Sequence, residues 1–121
     1  MVDMTRKEVE ELIMAMPNAR LDYPFGEDTA VYKVPVDGED KIFALVNEKK
    51  TPVNLSLKCD PQLAKLLREK YETVLEGYHL NKKHWNTMIL TGQLTPEEVK
   101  DLIVHSYKLV VGDEQHVPSF K

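Results

Sequence analysis

The sequence predicts an α+β domain in which an antiparallel sheet carries helices on one face. Three observations predict it. Helical apolar periodicity behind capping signals marks both ends of the chain, at Thr5 and at Thr95. Between them lie runs rich in β-branched and aromatic residues, and the run from Val53 to Lys58 alternates strictly. The links between these runs are short, which favours antiparallel neighbours over crossovers. At 121 residues, with 42% apolar and 30% charged side chains, the chain suits one domain over residues 1–121, closed around a single modest core.

The elements follow in order. Thr5 and Glu8 make a capping box, and Met4 and Val9 stand where a hydrophobic staple closes. Val9, Leu12, Ile13 and Met16 then share one helix face, and Pro17-Asn18 ends the helix. Asp22-Tyr23-Pro24-Phe25-Gly26 reads as a turn-rich stretch. Ala30 to Val36 and Lys41 to Val46 read as two strands joined by the hairpin signal Asp37-Gly38. In the third strand, Val53, Leu55 and Leu57 point to one side and Asn54, Ser56 and Lys58 to the other, so one sheet face is wet.

Asp60-Pro61 opens the second helix, with an aspartate to cap it and a proline at a position that needs no N–H. Leu63, Leu66 and Leu67 give its apolar stripe. Thr73 to Leu75 and Trp85 to Leu90 read as two more strands, and Trp85 reads as a core anchor. Thr95-Pro96-Glu97-Glu98 repeats the capping-box logic for the last helix, which Gly112 ends. Residues 113–121 read as a loose tail in which Val117 and Phe120 could dock. The predicted order is α-β-β-β-α-β-β-α.

Composition narrows the function classes. The net charge of −4 argues against nucleic-acid binding by bulk attraction. The single cysteine, Cys59, excludes an internal disulfide and suits a reducing compartment. No apolar run is long enough for a membrane span and the N-terminus lacks a signal-peptide core, so a cytoplasmic location is expected. No zinc-type or calcium-loop ligand spacing, glycine-rich phosphate cradle or nucleophile elbow is present, so neither a metal nor a cofactor nor an enzyme is expected. Cys59 reads as a buried filler.

The charge is unevenly spread. Residues 41–86 carry 9 basic and 5 acidic side chains within an acidic protein. Lys49 and Lys50 lie on a loop, Lys58 on the wet strand face, and Lys82 and Lys83 in the connection before Trp85. If they converge they form a local phosphate-attracting patch; if they scatter they are solvated lysines. His79, Asn81, His84 and Asn86 would add hydrogen bonds to phosphates or base edges, and an exposed aromatic could stack on an unpaired base.

The blocks Tyr23-Pro24-Phe25-Gly26, Val31-Tyr32-Lys33-Val34, Lys41-Ile42-Phe43-Ala44, Leu55 to Pro61, Gly77-Tyr78-His79-Leu80-Asn81-Lys82-Lys83-His84-Trp85-Asn86 and Ser106 to Val110 resemble the MmcQ/YjbR family of small bacterial proteins. The resemblance implies the same element order, in a layout similar to secretion chaperones and to a double-wing DNA-binding domain. It implies a DNA-binding module, read as non-enzymatic, and the charge reading above supplies its contacts: Lys49, Lys50, Lys58, His79, Asn81, Lys82, Lys83, His84 and Asn86. Two alternatives stand beside it. One is a protein-interaction module using the open sheet face. The other is a small-molecule-binding protein, which requires a concave pocket that brings Cys59 and a histidine together.

Overall fold

The computed structural model describes residues 4–77, 80–112 and 118. Helix α1 spans Arg6–Met14. Its capping box closes in both directions: Glu8 N donates to Thr5 Oγ1 at 3.1 Å, and Thr5 N donates to Glu8 Oε1 at 2.9 Å. Met4, Val9 and Ile13 are buried beneath it. Helix α3, Pro96–Val111, starts with the same reciprocal pair between Thr95 and Glu98 and stops at Gly112. Gly112 lies at φ 102°, a left-handed conformation that suits glycine. Helix α2, Pro61–Lys70, is capped by Asp60, whose Oδ2 accepts from Gln62 N and Leu63 N, each at 3.1 Å.

The strands are β1 (Arg20–Asp22), β2 (Thr29–Val36), β3 (Glu39–Asn47), β4 (Asn54–Lys58), β5 (Val74–Glu76) and β6 (Trp85–Ile89). They form one sheet in the order β1-β2-β3-β4-β6-β5, with every neighbouring pair antiparallel. The β2–β3 hairpin turns at Asp37 (φ 52°) and Gly38 (φ 83°), the two positive φ values a primed turn requires. The α+β class and the helix-covered sheet agree with the sequence. The one added element is β1. Its three residues are all exposed and too few to show alternation, so the strand exists by pairing with Val31–Lys33 of β2 rather than by its own pattern.

Register decides which side chains face the helices. Ala44, Leu57 and Asn86 stand opposite one another across β3, β4 and β6, as do Val46, Leu55 and Met88. These residues are all buried, and the apolar ones share one core cluster with Val9, Ile13, Leu63, Leu67, Val99, Leu102 and Ile103 from the three helices. The β2–β3 register shifts between Tyr32 and Lys33, so Phe43 faces the core beside Ala44 and packs edge-on to Tyr107 of α3, with ring centroids 5.5 Å apart. The opposite face carries Leu45, Ser56 and Thr87 in one row, and Lys58 beside Trp85 in another. Ser56 and Thr87 are joined by a hydroxyl–hydroxyl bond of 2.8 Å. No helix among the described residues is long and apolar enough to cross a membrane.

Candidate functional site at the β4–β6 end of the sheet

Antiparallel pairing separates the lysines into two groups. Lys49 and Lys50 belong to the β3–β4 connection, beside Asn47 and Asn54. Lys58 closes β4 at its other end, roughly 14 Å away at the rise of an extended strand. There it stands opposite Trp85, which directly follows the turn bearing Lys82 and Lys83. The single patch of five lysines anticipated from the sequence is therefore corrected: Lys58 and the turn bearing Lys82 and Lys83 lie at one end of β4, and Lys49 and Lys50 at the other. Lys49 is also held by Asp28 at 3.1 Å. Lys82 lies 3.8 Å from Glu76, and both side chains are well exposed, so this pair adds little.

The Asn81–His84 turn has a defined shape. Asn81 Oδ1 accepts from Lys83 N at 3.0 Å, and the Asn81 carbonyl accepts from His84 N and Trp85 N. The Asn81 oxygen thus shapes the turn that presents Lys82 and Lys83. His79 lies outside the described residues, as do Tyr78 and, apart from Pro118, the tail over 113–121.

Two residues exchange the faces anticipated for them. Asn86 is fully buried on the helix-covered face, where its Nδ2 donates to Ala64 O at 3.2 Å and its Oδ1 accepts from Arg68 at 2.7 Å. It is withdrawn from any nucleic-acid contact. Trp85, read as a core anchor, lies half-buried on the outer face. Gly77 N donates to its carbonyl at 3.0 Å, and a Cβ at Gly77 would sit 2.8 Å from Trp85 Cβ. Glycine is what lets β5 approach the tryptophan this closely.

The β4–α2 junction beside this group is pinned by buried polar contacts. Ser106 Oγ donates to Phe43 O at 2.6 Å and accepts from Lys58 N at 2.9 Å. Asp60 N donates to Nε2 of the buried His105 at 3.0 Å, and Cys59 N donates to His84 O at 2.7 Å. Burial, with the Asp60 carboxylate adding to it and Arg68 opposing, pushes the Cys59 thiol up to about 12, so it stays protonated and is no nucleophile near neutrality. Among the described residues, no three His, Cys, Asp or Glu side chains are grouped to hold a metal.

Among the described residues, concavities include one at each end of β4. The larger, about 670 Å³, lies between the α1 N-terminus and the β3–β4 connection. Its charges are largely closed on one another, Arg6 with Glu48 at 2.8 Å and Lys49 with Asp28. Tyr23 Oη also donates to Glu48, and this bond raises the phenol above its ordinary range. The smaller, about 300 Å³, is lined by Lys58, Cys59, Asp60, Pro61, His84 and Leu109. It brings Cys59 and His84 into one pocket, the juxtaposition required of a small-molecule site.

A small domain with one six-stranded antiparallel sheet, three helices on one face and a lysine-bearing turn beside a pinned strand–helix junction is the class these features define. The YjbR family model matches residues 14–109, and the chain belongs to the YjbR family. It is 36% identical over 108 residues to the uncharacterized protein YjbR of Escherichia coli K12, covering 89% of this chain and 88% of that protein. It is 34% identical over 102 residues to the uncharacterized protein YbdF of Escherichia coli O157:H7, covering 84% and 80%. Among solved structures, the Deinococcus radiodurans protein DR2400, with its DUF419 domain, superposes with a TM-score of 0.85 at 31% identity, covering 94% of this chain and 89% of that one.

Proposed function

We propose that this protein is a non-catalytic binding module that engages nucleic acid at the β4–β6 end of its sheet. Lys58, Lys82 and Lys83 neutralise backbone phosphates, His84 borders them, and Trp85 offers a face for an unpaired base. One observation carries the reading: Lys58 stands opposite the partly exposed Trp85 on the face that the helices leave uncovered, and the turn bearing Lys82 and Lys83 runs directly into that tryptophan. Single-stranded nucleic acid fits this better than a duplex, because the cations are few and the aromatic is available to stack.

Trp85 is the only tryptophan, so its fluorescence reports the site. Titration with an oligothymidylate should quench it saturably at low salt. Three phosphate contacts to a single strand give a log–log salt slope of about −2. Joint Lys82→Ala and Lys83→Ala substitution should flatten that slope, and joint Lys49→Ala and Lys50→Ala should leave it unchanged. Absence of quenching at low salt, or equal effects of the two pairs, rejects the reading.

A specific observation also favours a protein-docking reading. On the uncovered face Leu45 and Ile89 are half-buried, and Leu75, in the edge strand β5, is 48% exposed. Light scattering over a concentration series decides it for self-association: a mass that stays monomeric removes a second copy as the partner.

A further inference from the structure

We infer that the 300 Å³ pocket at the β4–α2 junction is a binding site for a small organic acid, one carboxylate on a short apolar body. The inference is independent of the nucleic-acid reading, although Lys58 and His84 border both sites. The volume falls at the small end of the range for ligand pockets. Its lining divides by chemistry: Lys58 and His84 carry groups able to donate to an anion, while Pro61, Leu109 and the protonated Cys59 are the apolar members.

The donors are uncommitted, unlike those of the larger cleft. Among the described residues, neither the Lys58 ammonium nor the His84 imidazole takes part in an ion pair or side-chain hydrogen bond. Their backbones, by contrast, are fixed. Lys58 N is held by Ser106 Oγ, and His84 O receives Cys59 N, so both side chains start from anchored backbone. Asp60 also lines the pocket, and its charge opposes an anion. That charge is turned onto the start of α2, where Oδ2 takes two backbone N–H groups and the positive end of the helix offsets it. Because Asp60 and Pro61 use up the first turn of α2, the helix end itself has little to offer a ligand. Recognition falls to Lys58 and His84. One ammonium among apolar lining residues suits a singly charged carboxylate better than a doubly charged phosphate.

The test titrates the full chain with sodium butyrate and follows backbone amide NMR signals, with inorganic phosphate and n-butylamine as parallel arms. Butyrate should shift the Cys59, His84 and Leu109 signals saturably, phosphate should do so more weakly, and n-butylamine should not. Lys58→Met, which keeps the apolar stem, should weaken butyrate binding about tenfold or more, the worth of a charge-assisted hydrogen bond. Leu109→Phe fills the pocket without changing charge; it should abolish the butyrate shifts and leave oligothymidylate quenching of Trp85 intact. Lys83→Ala should do the reverse, so failure of one proposal is separable from failure of the other. The inference is overturned if butyrate produces no saturable shift. It is also overturned if the shifts spread equally to Lys49 and Lys50, if n-butylamine or phosphate binds as well as butyrate, or if Lys58→Met binds butyrate unchanged.

Discussion

Arg68 of α2 donates from its guanidinium to Asn86 Oδ1 at 2.7 Å, on a side chain that the sheet and helix bury completely. The other end of the same amide donates to the Ala64 carbonyl. Asn86 is therefore satisfied at both ends and ties α2 to β6, which is why a polar residue occupies a core position between Leu57 and Glu76.

Substituting Asn86→Leu removes both bonds and leaves a half-buried guanidinium without its partner. The expected cost is about 2 kcal/mol in equilibrium urea unfolding. Oligothymidylate quenching of Trp85 should be unchanged in the folded fraction, because Asn86 faces the helices while Lys58 and Trp85 face the other way.

Ser106 joins three elements through one hydroxyl, giving a proton to Phe43 O in β3 and accepting one from Lys58 N in β4. Ser106→Ala strands a buried carbonyl and an N–H together. A loss of about 2–3 kcal/mol is expected in the same assay. The amide of Lys58 should also exchange with solvent deuterium faster than its neighbours in β4.

The helices were legible because their signals are local: Thr5, Asp60 and Thr95 each act within three residues. The hairpin at Asp37-Gly38 was legible for the same reason. The facing of β6 was not. Trp85 and Ile89 lie on one side of that strand and Met88 on the other, so both sides carry apolar residues and alternation does not choose between them. Arg68 and Ala64, 18 and 22 residues distant, make the choice by holding Asn86 inside. The split of the lysines was within reach. Lys49 and Lys50 precede β4 and Lys58 ends it, so any antiparallel arrangement puts a strand length between them. The pocket was invisible in the sequence, since it joins residues 58–61, 84 and 109.

Gly77 makes a sharp case for backbone proximity. A Cβ there would come within 2.8 Å of Trp85 Cβ and 3.1 Å of its carbonyl oxygen, so Gly77→Ala must push β5 away from β6. The expected result is a loss of roughly 1–3 kcal/mol, the usual range for overpacking, and a change in the Trp85 emission maximum of the folded protein. Unchanged emission and stability would mean that β5 yields freely.

Cys59 gives stability a dependence on alkaline pH. Its thiol is pushed from an ordinary 9.0 to about 12, first by burial and then by Asp60. Above pH 9 the unfolded chain loses this proton while the folded chain keeps it, so the unfolded state binds fewer protons and folding stability falls as pH rises. The contribution is fully present below about pH 9 and is lost progressively up to about pH 12. Tyr32, also raised by burial from 10.0, adds a loss that begins higher. Comparison with Cys59→Ala separates the two: the variant should lose less stability between pH 9 and 10, measured by urea unfolding at each pH. Native Cys59 should also react with a disulfide reagent at pH 8 far more slowly than the unfolded chain does, because burial both protonates and shields it. Equal rates in the two states would place the thiol at the surface and remove an apolar member from the pocket that Lys58 and His84 share.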